Sequence, residues 1–561
     1  MLETELKLHV PAASRAAVLK AVSTATAQTT ALQARYVDTP DQALARAGLA
    51  WRLRREGRRW VQTLKGRGDG LMARPEHEVA VRAPGPDTLP DPARHDGTPV
   101  GALLRQALGG TGLAALQCVY RTDIRRVHRT VRQGGAVVEL AFDEGWLVAG
   151  PPAALRRLPV CELELELKSG PPSVLFDLAE RWSQRHGLWL DVRTKSERGH
   201  RLALEAPAPV ARASAQTALP PEAPAAWRAM LTDCLGHLLP NLSALAAGEG
   251  GPDHVHQARV ALRRLRTVLR LPPDWHGQAE AAQAVEAGWR DPFTRLGAQR
   301  DADVVRELLG PPLQAAGLDP AALWGASVAL QDSASAHGAG AGVDDGGAAL
   351  TARSPDVTLQ VLRTWRLALP AHEAPVGAEA VEAPEALQPL ARPWLARRWR
   401  QLRREARGFS ALSLQDQHRL RKRLKRLRYT LELLSPAAAE APEAARALRR
   451  LLEALGAWND RAVAREVLGR VAGEAGATSS ATLLAGEHAR AWAQGWLTGG
   501  EPAVLRAVEQ AVEAFRAYRS PWGRAGRRGK DPKVAKDEKG VKPKRKPRPP
   551  KRKPRPPKRE A

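Results

Sequence analysis

Glu3, Glu5 and Lys7 stand at every second position of the run Leu2-Glu-Thr-Glu-Leu-Lys-Leu8. In a β-strand alternate residues share a face, so two carboxylates and an ammonium point the same way. Glu162, Glu164, Glu166 and Lys168 repeat the pattern, with Leu163, Leu165 and Leu167 between them. Like charges this close repel unless a cation, or opposing Arg and Lys side chains, lie among them. Opposing charge is present: Arg52 and Arg54 share a face, and Lys65 ends a Thr-Leu-Lys stretch. Glu76 with Glu78, and Glu139 with Asp143, are further same-face pairs. With the Leu and Val faces turned outward against helices, the charged faces line an interior. Such an interior suits Mg²⁺ or Mn²⁺ on carboxylate oxygens and a polyanion on Arg and Lys. Phosphoryl transfer asks for little beyond position, metal and cationic clamps. One such strand is more simply a solvated sheet face; six strands with charges at period two favour the interior.

The elements that must carry these residues read as α+β over 1–204. Strand patterns fall at Glu3–Val10, Leu49–Arg55, Trp60–Lys65, Glu76–Arg82, Ala136–Asp143 and Cys161–Lys168, with helical stretches at 14–25 and 172–186. Residues 205–224 are an Ala/Pro linker. Residues 225–519 show amphipathic helical spacing of Leu, Ala and Arg, interrupted near 333–349 by an Ala/Gly/Ser break. Residues 520–561 form a Lys/Arg/Pro tail that cannot bury a core and is expected to be disordered.

The motifs of the first 204 residues resemble those of the CYTH superfamily, the triphosphate tunnel enzymes. They are Glu3-Thr-Glu-Leu-Lys7, Tyr36-Val-Asp-Thr39, Trp51-Arg-Leu-Arg54, Gln62-Thr-Leu-Lys-Gly66, Arg74-Pro-Glu-His-Glu78, Cys161 to Gly170, and Thr194-Lys-Ser-Glu-Arg-Gly199. The resemblance implies an eight-stranded antiparallel tunnel binding triphosphate end-on. It also implies metal ligation by Glu3, Glu5, Asp143, Glu162 and Glu164, with Glu139 an alternative to Asp143. Phosphate contacts are implied for Lys7, Arg52, Arg54, Lys65, Lys168 and Lys195, with Arg121 and Arg126 competing for one role. Glu3, Glu5, Lys7 and Glu164 are the expected catalytic set.

The helical region is internally duplicated. His256-Gln-Ala-Arg-Val-Ala-Leu-Arg-Arg-Leu-Arg266 is matched by His418-Arg-Leu-Arg-Lys-Arg-Leu-Lys-Arg-Leu-Arg428. About forty residues beyond each stands a second pair, Leu296-Gly-Ala-Gln-Arg-Asp-Ala-Asp and Leu455-Gly-Ala-Trp-Asn-Asp. His256, Arg259, Arg263 and Arg266 fall on one helix face. So do His418, Arg421 or Lys422, Lys425 and Arg428. A basic stripe that occurs twice at equivalent places points to an anionic partner. The region resembles the CHAD domain, a duplicated helical bundle, and this implies binding of inorganic polyphosphate along the stripe. Asp301, Asp303 and Asp460 can be read as metal ligands, but the expectation is that they cap helices or pair with the stripe.

Formal net charge is +26, of which the segment from Arg524 onward contributes +14 (18 Lys/Arg against 4 Asp/Glu). The chain as a whole should attract polyanions, and the tail should hold nucleic acid or polyphosphate without reading sequence. Three scattered cysteines give no disulfide framework or zinc site. The N-terminus lacks the pattern of a leader, and no apolar run is long enough for a membrane span. The expected place is the cytoplasm, on polyphosphate granules or nucleoid. The reading is therefore an inorganic triphosphatase that uses Mg²⁺ or Mn²⁺. The alternatives are a non-catalytic granule- or nucleoid-associated binding protein, and a thiamine or nucleoside triphosphatase.

Overall fold

The structure, a computed structural model, describes residues 2–522 apart from 69–72, 83, 86–87, 110–111, 215–217, 324–346, 370–384, 439, 472–479 and 519–520. The basic tail from 523 and most of the Ala/Gly/Ser break lie outside the described residues; the end of that break, from Gly347, is helical.

The first two hundred residues build one antiparallel sheet. Its strands are β1 (Leu2–His9), β2 (Gln28–Asp38), β3 (Ala50–Glu56), β4 (Arg59–Lys65), β5 (Ala73–Val81), β6 (Gln117–Gln133), β7 (Ala136–Ala149), β8 (Arg156–Ser169) and β9 (Trp189–Leu190). Strand order is β5-β4-β3-β2-β6-β7-β8-β1-β9, and a β5–β1 pairing closes the sheet on itself. β1 achieves this by changing partners along its length. Leu2 to Thr4 pair β5, Glu5 to His9 pair β8, and Leu8 and His9 also pair β9. The sheet thus has nine strands, not the eight expected. The ninth is two residues long, too short to leave a period-two signature.

The alternation in each strand turns apolar residues outward. Leu6, Leu8, Leu140, Phe142, Leu163 and Leu165 pack in one core with Val174, Leu175, Phe176 and Leu178. These last lie on α4 (Ser173–His186), which follows α1 (Arg15–Val22), α2 (Ala43–Arg46) and α3 (Pro99–Leu108). On the other side Trp51 and Leu64 pack beneath Val100, Leu104 and Leu108 of α3. A last helix of this half, α5 (Lys195–Leu204), is capped by Thr194, whose hydroxyl accepts from the Glu197 amide at 3.0 Å.

The helical half comprises α6 (Ala223–Ala246), α7 (Pro252–Val268), α8 (Ala279–Gly288), α9 (Arg290–Ala315), α10 (Gly347–Arg353), α11 (Pro355–Ala368), α12 (Leu387–Glu405), α13 (Leu414–Leu433), α14 (Ala441–Val471), α15 (Ser480–Gly499) and α16 (Glu501–Ala517). No helix of the described residues is long and apolar enough to cross a membrane. Residues 1–522 form one compact unit, and the outer core of the sheet runs on into the helices. Phe176 of α4 meets Trp365 of α11 edge to face, and Arg366 pairs Asp177 at 2.6 Å.

Gly199 of α5 lies against Tyr120, and a Cβ there would fall 2.2 Å from the ring. Tyr120 cannot yield easily, because it stacks on Tyr36 at 4.5 Å. Gly199→Ala is therefore predicted to overpack the site by about 1–3 kcal/mol. Thermal unfolding should show a midpoint several degrees below that of the unaltered chain, with no change if the helix stood free of the sheet.

Candidate active site

The inward faces of the strands carry charge. Glu5, Lys7, Arg52, Arg54, Lys65, Arg74, Arg126, Asp143, Glu164, Glu166 and Lys195 line a narrow cavity of about 90 Å³ inside the sheet. Seven of these are cations and four are carboxylates. The cavity adjoins a wider one of about 750 Å³, with which it shares Glu5, Lys7, Lys65 and Arg74.

Ion pairs join neighbouring strands, and α5 to the strands, along the bore. The Lys195 ammonium donates to Asp143 Oδ2 at 2.7 Å, Glu162 Oε1 at 2.5 Å and Glu164 Oε1 at 2.8 Å. Arg126 forks onto both oxygens of Asp143 at 2.7 Å and reaches Glu164. Arg198, one helical turn beyond Lys195, bonds the second oxygen of Glu162. Arg74 pairs Glu5, Lys65 pairs Glu76 at 3.3 Å, and Arg54 pairs Glu78 at 3.2 Å. Arg52 donates to the Tyr36 hydroxyl at 2.8 Å.

These contacts set protonation. Burial alone would push Glu162 upward, but Arg198, Lys195 and Lys7 hold its carboxyl down at about 2. Glu164 is likewise buried, and Lys195 and Arg126 hold it well below the carboxylate range. Burial opposes the Lys195 charge, yet its three carboxylates raise it well above the usual lysine value. Lys7 is pulled below the usual value by burial, against the attraction of Glu162. Both glutamates are therefore ionised acceptors throughout the neutral range.

Oxygens of Asp143, Glu162 and Glu164 lie within 4.8 Å of one another. The Lys195 ammonium, a cation, is already bonded to all three, so the site suits positive charge. Its all-oxygen donors fit Mg²⁺ or Mn²⁺. Glu5 faces the same bore, whereas the side chain of Glu3 lies outside the described residues.

Two sequence expectations for the bore need correction. Arg121 is exposed, because Thr122, Ile124 and Arg126 take the inward positions of β6 and alternation sends Arg121 out. Lys168 is exposed at the end of β8 and bonds Glu166 at 2.7 Å, outside the cavity lining. Arg74 and Arg198 are the cations that site reasoning overlooked. Arg74 shares period-two spacing with Glu76 and Glu78, and Arg198 stands three residues after Lys195 on a helix; both spacings were legible.

The helical half carries a second charged concavity, of about 740 Å³. His256, Arg259, Arg263 and Arg266 of α7 face His418, Arg421, Lys422 and Lys425 of α13 across it. Arg428 is not in its lining; it lies over the Tyr429 ring at 4.6 Å and pairs Glu432 at 3.5 Å. Arg259 is largely structural, donating to the Leu296 and Gly297 carbonyls at 3.2 and 2.5 Å. His418 bonds Asn459 at 3.3 Å. Asp460 also lines the groove, while the side chains of Asp301 and Asp303 lie outside the described residues. Burial, then Arg421 and Arg263, push Lys425 down to about 6.

Removing Glu162 would leave Lys195 and Arg198 short of a buried partner. Glu162→Gln is predicted to cost about 3–5 kcal/mol at neutral pH in denaturant unfolding. In the unaltered chain the Glu162 contribution is present above its ordinary value near 4.5 and is lost as pH falls toward 2. The acid slope of stability should therefore flatten in the variant; an unchanged slope would place the dependence elsewhere.

Comparison with known proteins bears on both halves. The CYTH domain model matches residues 1–208 and the CHAD domain model matches residues 229–469. An inorganic triphosphatase of Haemophilus influenzae is 31% identical over 172 residues, which is 30% of this chain and 44% of that protein. Among solved structures, the CHAD domain of the plant Ricinus communis is 25% identical and covers 55% of this chain and 96% of its own, with a TM-score of 0.42. A putative adenylyl cyclase from Hippeastrum, described as having a dominant triphosphatase activity, is 17% identical and covers 36% of this chain and 96% of its own, with a TM-score of 0.26. Residues 1–208 are a CYTH domain and residues 229–469 a CHAD domain, joined in a single chain.

Proposed function

We propose that the tunnel hydrolyses inorganic triphosphate to phosphate and pyrophosphate with Mg²⁺ or Mn²⁺, and that the helical groove holds inorganic polyphosphate. The observation that carries the reading is the convergence of seven cations and an ionised carboxylate cluster in one closed bore. Lys7, Arg52, Arg54, Lys65, Arg74, Arg126 and Lys195 would bind phosphate oxygens. Asp143, Glu162 and Glu164 would hold the metal, with Glu5 a further carboxylate on the same bore. When bound, the metal supplies Lewis-acid polarisation of phosphoryl oxygen and neutralises charge.

The chain's own part is positioning and electrostatics. Water adds to a terminal phosphorus, the bond to the bridging oxygen breaks, and pyrophosphate leaves with that oxygen while a proton passes to solvent. Glu162 and Glu164 are ionised and cannot donate a proton to the leaving group. The guanidinium and ammonium groups must meet its charge instead, already held in place along the bore. Tyr36 is the one aromatic ring among the described residues lining the narrow bore, and Trp365 stands in the lining of the wider cavity. The Tyr36 ring is already engaged, stacked on Tyr120 and lying beneath the Arg52 guanidinium. Within the narrow bore this favours an inorganic chain over a nucleoside or thiamine moiety. The cytoplasm, near polyphosphate, is the setting this chemistry fits, and the basic tail would add non-specific hold on polyphosphate or nucleic acid.

Phosphate release from tripolyphosphate should require Mg²⁺ or Mn²⁺ and exceed release from ATP or thiamine triphosphate. Glu164→Gln should lower kcat about 100-fold or more, while binding of long-chain polyphosphate is retained. Binding without turnover on any of these substrates would instead favour a receptor.

Lys425 gives the groove a pH signature. At neutral pH it is mostly neutral, and a bound polyanion would raise its pKa, so binding takes up a proton. Affinity should rise as pH falls from 8 to 6 and level off below 6. Titration calorimetry with polyphosphate should show this slope reduced in Lys425→Met; an equal slope in both proteins would remove Lys425 from the site.

A further inference from the structure

The stretch from Trp189 to Lys195 leaves the sheet, passes under the helical half and returns as the helix bearing Lys195. Side chains of the helical half hold it at three points. The Leu190 amide donates to Thr358 Oγ1 on α11 at 3.3 Å, and the Val192 amide donates to Ser243 Oγ on α6 at 3.1 Å. The Arg193 guanidinium meets Glu249, in the turn after α6, at 2.9 Å, and Glu249 also takes Arg201 of α5 at 2.7 Å.

The tunnel grips the same stretch from its other side. Arg193 forks onto Asp191 at 3.0 and 2.8 Å, and its carbonyl accepts from the Lys7 ammonium. Two residues later Lys195 enters the carboxylate cluster. Ser243 and Arg193 are 1% and 5% exposed, so the junction is internal. Lys7 is thus anchored on a main-chain atom, and that backbone is positioned by residues of the other half. Misplacement of such groups by about 1 Å can cost two orders of magnitude in rate.

We propose that Ser243 and Glu249 are positioning residues for the tunnel, acting through Val192 and Arg193 on Lys7 and Lys195. The helical half then sets the geometry of the phosphate-binding cations as well as holding a polyanion of its own. The kinetic consequence rests on the reading of the tunnel as a triphosphatase; the structural consequence does not.

The test uses the full chain with Ser243→Ala, Glu249→Gln, their double variant, and Glu249→Asp as the conservative replacement. Hydrogen–deuterium exchange over 188–196 should quicken about tenfold or more in the double variant, with the fold intact by circular dichroism. With Mg²⁺ and tripolyphosphate, KM should rise several-fold and kcat fall about tenfold or more, and Glu249→Asp should recover much of both. Unchanged exchange over 188–196 overturns the proposal. So does wild-type kcat and KM in the double variant, or a lowered KM, which would show Glu249 merely masking Arg193 and Arg201. If the unaltered chain turns over no tripolyphosphate, the triphosphatase reading fails separately. The positioning claim is then decided by exchange together with tripolyphosphate affinity by calorimetry, which it predicts to weaken several-fold.

Discussion

The contact of the Lys195 ammonium with Asp143, Glu162 and Glu164 is the constraint on which the N-terminal half depends. Three carboxylates from two neighbouring strands cannot share a low-dielectric interior without positive charge among them. Lys195 and Arg126 supply it, and Arg198 adds a second tie to Glu162. The sheet can therefore close around charge instead of hydrocarbon. Its apolar faces are left to bind helices outside, and the arrangement is the reverse of a filled barrel.

That inversion explains what was legible in the sequence. Glu5 and Lys7 on β1, Arg52 and Arg54 on β3, and Glu162 and Glu164 on β8 alternate with Leu or Trp, and the period-two pattern puts them on inward faces. β6 and β2 left no such trace. Around Arg121, Asp123 and Arg125 the outward face of β6 is as polar as the inward face holding Thr122 and Arg126, so alternation cannot tell strand from loop. β9 is too short to register. The rank of Arg121 and Arg126 could be settled only by knowing which parity faces in, and that is fixed by pairing with β7, where Arg126 stands opposite Asp143.

In the helical half, duplication made the basic stripe visible, and α7 and α13 face each other across a groove. What the sequence did not convey is how unequal the stripe's members are. Arg259 ties α9 through two carbonyls, Arg266 pairs Glu286 at 2.8 Å, and Arg428 turns aside to Glu432. Lys425 remains among arginines, where burial and the like charge of Arg421 and Arg263 lower its pKa. The Ala/Pro linker also gave no sign that the two halves would share one core, because the contacts that join them, such as Phe176 with Trp365, are far apart in the chain.

The central claim is that the carboxylate cluster belongs to a divalent cation and the surrounding Arg and Lys to phosphate. The most direct measurement is anomalous scattering at the manganese edge from crystals holding Mn²⁺ and tripolyphosphate, grown with Glu164→Gln and with the unaltered chain. The account predicts a manganese peak beside Asp143 and Glu162 in the unaltered chain, weakened or lost in the variant, with phosphate density against Arg52, Arg54 and Lys65. Manganese bound elsewhere, or phosphate density only in the α7–α13 groove, would contradict it.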